Sequence, residues 1–161
     1  MLRDYQVQDA DAVTRVAVAA FAQFAPHYSD WPAMADNVSR MPELSEHGEI
    51  IVAEVERRIV GAVAYFGPQA PKPAFFEPEW PIIRMLVVDP PARGQGFGRL
   101  LTEECIRRAR RDGASIIALH TTPLMSVALP MYLRMGFAKL RDAPDIRGQP
   151  YAVCAKALEG R

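Results

Sequence analysis

The twenty residues Ile82 to Leu101, IIRMLVVDPPARGQGFGRLL, hold the side chains and spacing most suited to chemistry. An apolar run stops at Asp89-Pro90-Pro91, glycines follow at 94, 96 and 98, and Phe97, Leu101, Cys105 and Ala109 then step by four along a helix. The first N–H groups of a helix lack internal partners and the helix dipole adds positive charge there, so such an end binds anions. Gly94, Gly96 and Gly98 leave the backbone open to close approach, and Arg93 and Arg99 flank the turn with permanent charge. A pyrophosphate fits this description; the other reading is a plain tight turn whose glycines serve only positive φ. Two common phosphate loops are out of phase. A G-x-G-x-x-G fingerprint would need glycine where Phe97 or Arg99 stands, and a Walker loop needs a Gly-Lys-Ser/Thr that is absent.

Arg84 to Pro90, followed by Arg93-Gly94-Gln95-Gly96-Phe97-Gly98, resembles the acetyl-CoA motif of the GCN5-related N-acetyltransferase (GNAT) superfamily. A second family motif, Ala-x-x-Leu-Tyr-x-x-x-Gly-Phe, is matched downstream by Ala128, Tyr132, Gly136 and Phe137, with Met131 in place of the leucine. The resemblance implies transfer of an acetyl group from acetyl-CoA directly to a primary amine, on a small molecule or on a peptide or protein. It also implies that the backbone of Leu86 and Val88 pairs with the pantetheine arm like an added strand. N–H groups from Arg93 through Gly94, Gln95, Gly96, Phe97 and Gly98 to Arg99 would hold the pyrophosphate. A backbone N–H near Val87 would donate to the thioester oxygen, where negative charge grows in the transition state.

Tyr132 resembles the family tyrosine that protonates the leaving thiolate; its other role is a core tyrosine packing helix on strand. A phenol with a pKa near 10 serves a thiolate near 8.5 only if transfer is concerted or the site tunes both. Many members place a glutamate at the start of the motif strand, but here Glu79-Trp80-Pro81 displaces the carboxylate into a proline-rich segment. Members resembling N-terminal protein acetyltransferases carry a glutamate at the end of the next strand, a position held here by His120. An imidazole near pKa 6.5 accepts a proton, directly or through water, at working pH; a hydrogen-bonded structural histidine is the alternative. Met125 stands where the family usually has an asparagine. A non-catalytic acyl-CoA sensor, with the tyrosine merely structural, is the alternative function.

Stepping by three and four, Val13, Val16, Ala17, Ala20, Phe21 and Phe24 predict a helix from about 10 to 24, after a strand over Leu2 to Val7, with Asp9 and Asp11 at its start. Trp31, Met34, Val38 and Met41 predict a second helix behind Asp30, closed by Pro42. Residues 50–56 and 58–66 read as a hairpin, 68–81 with five prolines as a loop, and 82–88 as a central strand buried on both faces. A helix ending near Asp112-Gly113, a strand over 115–120, a helix over 126–135 and strands over 137–140 and 151–158 complete the chain. Strand, helix, strand in this order favours parallel pairing by a right-handed crossover. The resemblance implies an α/β (α+β) GNAT fold: a mixed, mostly antiparallel sheet of about seven strands, helices on both faces, splayed between the fourth and fifth strands.

In this family the first two helices and the loop before the motif strand line the acceptor side. Here they supply Phe24, Tyr28, Trp31 and the carboxylates Glu77 and Glu79, an apolar wall able to hold a cationic amine, or simply a lid packed on the core. The 161 residues suit one domain over 1–161, and with 50 % apolar residues the chain is not intrinsically disordered. Two cysteines suggest neither a disulfide framework nor a metal site. Nineteen acidic side chains balance nineteen basic ones, against bulk attraction to nucleic acid or membrane. The opening residues lack a signal-peptide layout, so the expected location is cytoplasmic. A homodimer is common in the superfamily, although no residue here fixes an interface. Residues 93–111 hold six arginines and two glutamates, and residues 30–56 seven acids and one arginine. This separation favours a cofactor on one side and a cationic amine on the other.

Overall fold

The computed structural model describes residues 1–158; the last three residues of the domain expected over 1–161 lie outside the described residues. One sheet of seven strands runs in the order β1-β2-β3-β4-β5-β7-β6. Its strands are β1 (Leu2–Asp4), β2 (Glu49–Val55), β3 (Arg58–Phe66), β4 (Ile82–Val88), β5 (Ile116–Thr121), β6 (Ala138–Ile146) and β7 (Gln149–Ala157). β4 and β5 pair parallel, while the five other pairs are antiparallel. Among the described residues four α-helices, α1 (Ala10–Ala22), α2 (Trp31–Ser39), α3 (Phe97–Arg111) and α4 (Ala128–Arg134), join them.

Both faces of the sheet are covered, which is why the hairpin strands read as unbroken apolar runs. In β2, Ile50 and Val52 join Val13, Val16, Ala17 and Ala20 of α1 in one core, while Ile51 and Ala53 join Leu101, Cys105 and Ala109 of α3 in the other. A valine as fully enclosed as Val16 contributes about 1.5–3 kcal/mol. Glu56 and Arg57 both have positive φ, 50° and 67°, the hairpin geometry that follows the twist of β2 and β3.

Three local expectations are corrected. Asp9 does not cap α1: its carboxylate accepts the Gln6 N–H at 2.8 Å and grips Arg3 through both oxygens, at 2.8 and 3.0 Å. The first strand stops at Asp4, and a short 3-10 turn over Val7–Asp9 replaces its end. The strand expected over 137–140 runs on through 141–146 as β6, turning into β7 through Arg147 and Gly148 at φ 45° and 86°. β6 is an edge strand, where a proline breaks no ladder on its open side and charges meet water. The proline-rich segment is a loop as read, held by Lys72, whose Nζ donates to the carbonyls of Ala70 (2.8 Å), Pro78 (2.9 Å) and Gly67 (3.4 Å).

Candidate functional site

The site begins where two parallel strands separate. β4 and β5 register only at Ile82 and Ala118, beside the Ala118 N–H to Pro81 carbonyl bond of 3.0 Å, so the rest of the β4 edge has no strand beside it. Against β3, Val87 lies opposite Ala62 but Arg84 lies opposite Ala64, which leaves one extra residue in β4. This is a bulge, and Met85 within it sits at φ 57°. Left-handed geometry costs a non-glycine residue about 1–2 kcal/mol. The bulge resets which amides face outward. The Asp89 N–H donates to the Val60 carbonyl at 2.8 Å, so by alternation Val87 also turns its N–H and C=O to β3. Leu86 and Val88 turn theirs to the open edge. The free amide near Val87 is therefore that of Leu86, not that of Val87 itself.

Beyond β4 the chain turns over Pro90–Ala92 and enters α3 through two left-handed glycines, Gly94 at φ 78° and Gly96 at φ 88°. A Cβ on either would meet no atom within 4 Å, so these glycines border open space. A Cβ at Gly98 would instead lie 3.7 Å from Met131 Sδ and 3.8 Å from Leu86 Cδ2, where α3, α4 and β4 converge. The N–H groups of Gly94 to Arg99 thus gather at a fifteen-residue helix whose first intrahelical bond runs from the Leu100 N–H to the Gly96 carbonyl. Arg93 departs from expectation. Its N–H donates to the Pro90 carbonyl at 3.2 Å, and its guanidinium donates to Gln23 Oε1 (3.0 Å) and the Ala20 carbonyl (3.3 Å). It ties the loop to α1. Arg99 pairs with Glu103 at 2.9 Å on the exposed face. The cradle is chiefly backbone, and its open, donor-rich geometry fits a pyrophosphate.

The two expected catalytic side chains lie in different cores. Tyr132 is 5 % exposed, edge-on to Phe137 at 5.6 Å. Burial, then the nearby Cys105 and Cys154 thiols, raises its pKa well above the ordinary phenol value, so it keeps its proton. His120 packs on the other face, with Phe75 and Tyr151 rings each at 5.2 Å and Phe76 at 5.9 Å. Among the described residues its buried Nδ1 has no hydrogen-bond partner. Burial, then the charge of Arg84, lowers its pKa to about 4, so the imidazole is neutral where a free histidine would be titrating. As pH falls, the unfolded chain takes up this proton first. The stability contributed by neutral His120 is complete above about pH 6.5 and is lost on the way to about 4. Urea unfolding should show His120→Phe losing that part of the acid slope; equal slopes in variant and wild type would contradict the neutral assignment.

On the His120 side a cavity of about 510 Å³ opens between the end of α2, the proline-rich loop and β4, lined by Met41, Leu44, Phe66, Lys72, Arg84 and Met85 among others. None of the five expected acceptor residues lines it. Phe24 packs edge-on against Phe21 at 6.4 Å, and Trp31 opens α2 against the core. Tyr28 is buried, its hydroxyl 2.5 Å from that of Tyr151. Glu77 sits 3.5 Å from Arg141 and Glu79 is exposed. The charge separation read along the chain also closes up in space. Glu49, from the acidic stretch, accepts from Arg108 at 2.7 Å and from Arg111 at 2.9 Å, both from the basic one. Among the described residues no three His, Cys, Asp or Glu side chains gather as a metal site, and no helix is long and apolar enough to cross a membrane.

Residues 11–137 match the family model of the acetyltransferase (GNAT) family. The chain belongs to that family. It is 33 % identical over 149 residues to a mycothiol acetyltransferase of Cellulomonas flavigena, covering 89 % of this chain and 41 % of that one. It is also 33 % identical over 96 residues to N-acetyltransferase 8F1 of Rattus norvegicus, covering 60 % of this chain and 42 % of the relative. The chain thus spans about two fifths of the length of these curated relatives. Among solved structures, a GCN5-related N-acetyltransferase from Rhodopseudomonas palustris superposes with a TM-score of 0.77 at 20 % identity, covering 98 % of this chain and 95 % of the other. The PaiA N-acetyltransferase of Thermoplasma acidophilum, solved with coenzyme A, superposes with a TM-score of 0.71 at 14 % identity, covering 98 % of each chain. These likenesses show the fold: the expected GNAT architecture, a mixed seven-stranded sheet with one parallel pair at β4 and β5, is present.

Within this GNAT fold three residues escape sequence reading. Met85 gives no sign of its left-handed bulge, since IIRMLVV reads as a regular strand. Tyr151, on the last strand, becomes the partner of both Tyr28 and His120 only through folding. Arg84 did leave a signal, a charge inside an otherwise apolar strand, and it lines the cavity.

Proposed function

We propose that this GNAT-family chain transfers an acetyl group from acetyl-CoA to a primary amine. One observation carries the reading: the open β4 edge leads directly into the glycine cradle at the start of α3, so one extended ligand can run along both. Acetyl-CoA would supply the activated acetyl thioester. The outward backbone of Leu86 and Val88 would hold the pantetheine arm as an added strand. The N–H groups of Gly94, Gln95, Gly96, Phe97, Gly98 and Arg99 would hold the pyrophosphate, with Arg93 bracing the loop rather than touching phosphate. The Leu86 N–H beside the bulge is the donor suited to the thioester oxygen. Tyr132, kept protonated by burial and thereby a weaker acid than a thiol, would give its proton to the departing sulfur only in a concerted step, as the carbon–sulfur bond breaks.

His120 is the candidate neutral acceptor: its Nδ1 has no partner among the described residues but is shut off from solvent, so a hydrogen bond from the incoming amine or a water would require the packing of Phe75, Phe76 and Tyr151 around it to open. With a pKa of about 4 it orients a proton rather than storing it. The names of the relatives support acetyl transfer, and that of N-acetyltransferase 8F1 supports transfer to nitrogen.

Thiol release from acetyl-CoA with a panel of amines tests this reading. Tyr132→Phe should lower kcat about 100-fold, the low end for a proton-transfer group, because a thiolate is already a fair leaving group. Its coenzyme A affinity should stay within about twofold, since the ring and its packing are kept. Unchanged kcat would remove Tyr132 from the chemistry. Coenzyme A binding without turnover on any amine would instead indicate an acyl-CoA sensor.

A further inference from the structure

We infer that the acceptor carries a carboxylate beside its amine, as an amino acid does, and that Arg84, on the wall of the cavity next to the β4 bulge, recognises it. This deepens the acetyl-transfer reading and rests on it.

Arg84 is an unusual cation for its surroundings. It is half-buried in the central strand, and its guanidinium lies over the Phe66 ring at 5.4 Å. Its ordinary pKa is lowered by burial alone, with no compensating neighbour, and among the described residues it makes no salt bridge or hydrogen bond. The other cations lining the cavity are engaged. Lys72 is spent on three loop carbonyls, and Arg40 stands 4.0 Å from Glu43 on the surface. A guanidinium withdrawn from water without a counter-ion is costly, and a carboxylate approaching its planar edge would relieve that cost through two parallel hydrogen bonds. The contact with Phe66 uses the charge and not the N–H groups, which have no acceptor among the described residues.

The position also suits a small acceptor. Arg84 precedes Leu86, whose amide faces the splay, by two residues across the Met85 bulge, which puts them at most about 7 Å apart along the chain. An anion on Arg84 and an amine at the splay therefore belong to one small molecule. A cavity of about 510 Å³ lies within the usual small-molecule range. The exposed carboxylates Glu43 and Glu46, also lining the cavity, suit the ammonium end of an arriving amino acid. The inference narrows the preference for a cationic acceptor drawn from the acidic stretch over 30–56: Glu49 and Glu54 of that stretch are bound to Arg108 and Arg3, whereas Glu43 and Glu46 stay at the cavity for the ammonium end of an acceptor whose other end is anionic.

The test compares α-amino acids (glycine, alanine, glutamate, lysine and phenylalanine) with their carboxamides and with matched alkylamines. Wild type should prefer each amino acid to its amide by about 10- to 100-fold in kcat/KM, expressed mainly in KM. Arg84→Met should erase that preference while leaving the amides and coenzyme A affinity unchanged, and Arg84→Lys should restore part of it. Calorimetry with the amino acids alone, without acetyl-CoA, should show the same loss of binding in Arg84→Met. Melting of Arg84→Met should be no lower than wild type, since the substitution removes an uncompensated charge. Equal rates on amino acids and amides in wild type, or an equal fall on both in Arg84→Met, would overturn the inference while leaving acetyl transfer intact. No turnover on any amine would overturn the transfer reading instead, and amino-acid binding by calorimetry would still decide the role of Arg84.

Discussion

Gly96→Asp will remove coenzyme A binding, with affinity falling on the order of 1000-fold in calorimetry. A side chain at position 96 meets no protein atom within 4 Å, so the carboxylate projects into the space bordered by the α3 N–H groups. Two like charges about 4 Å apart repel by about 4 kcal/mol at the effective dielectric of a protein surface, which is about a thousandfold in affinity. The substitution also strains the backbone, because residue 96 has φ 88°. Gly96→Asn separates the two effects: it has the same shape, tolerates left-handed geometry and carries no charge. Asparagine should cost about tenfold or less in affinity and melt close to the aspartate variant. Undiminished binding in Gly96→Asp would defeat the assignment of the cradle.

Arg108→Met will destabilise the fold by about 3 kcal/mol, lowering the melting temperature by roughly 10 °C. The Arg108 side chain is only 10 % exposed and spans Glu104 (2.9 Å), Glu49 (2.7 Å) and Asp4 (2.7 Å), so it joins α3 to β2 and β1. Removing one member of a buried ionic set usually costs about 3–5 kcal/mol. The lower end applies here because Asp4 and Glu49 are 75 % and 43 % exposed and regain water, whereas Glu104 is 17 % exposed. Arg107 and then Arg108 hold Glu104 at a pKa of about 2, below its ordinary 4.5. A carboxylate depressed in this way stabilises the fold above its unfolded pKa, and that contribution is lost as pH falls from about 4.5 to about 2. Urea unfolding of wild type should weaken across this window, and Arg108→Met should weaken less because only Arg107 is left to hold Glu104. A loss below about 1 kcal/mol at neutral pH would show the network to be dispensable.

How much of the site was legible follows from the range of the interactions involved. The cradle was readable because its parts are neighbours in sequence: a strand stop, two glycines at positive φ and an amphipathic helix are local features. The side-chain roles were less readable. Arg93 was read as a phosphate ligand from its type and place, yet it is consumed by Gln23 and Ala20 at the end of α1, some seventy residues away in sequence. His120 was given an ordinary imidazole pKa, but Phe75, Phe76 and Tyr151, brought in by a loop and the last strand, dry its surroundings. Phe24, Tyr28 and Trp31 have the composition of a binding wall, and folding spends Tyr28 on a buried hydroxyl pair with Tyr151.

What the sequence determined by itself is the order of the elements and the glycine-rich turn that opens α3. These depend on periodicity, turn chemistry and backbone freedom, each settled within a few residues. Only the tertiary structure decided where β4 parts from β5, that Met85 bulges so that Leu86 and Val88 face the gap, and which charges are free. A charge is available to a ligand only when no other element has already neutralised it, and that depends on contacts between distant residues. Arg108 and Glu49 cancel across fifty-nine residues, while Arg84 faces the cavity without a partner among the described residues.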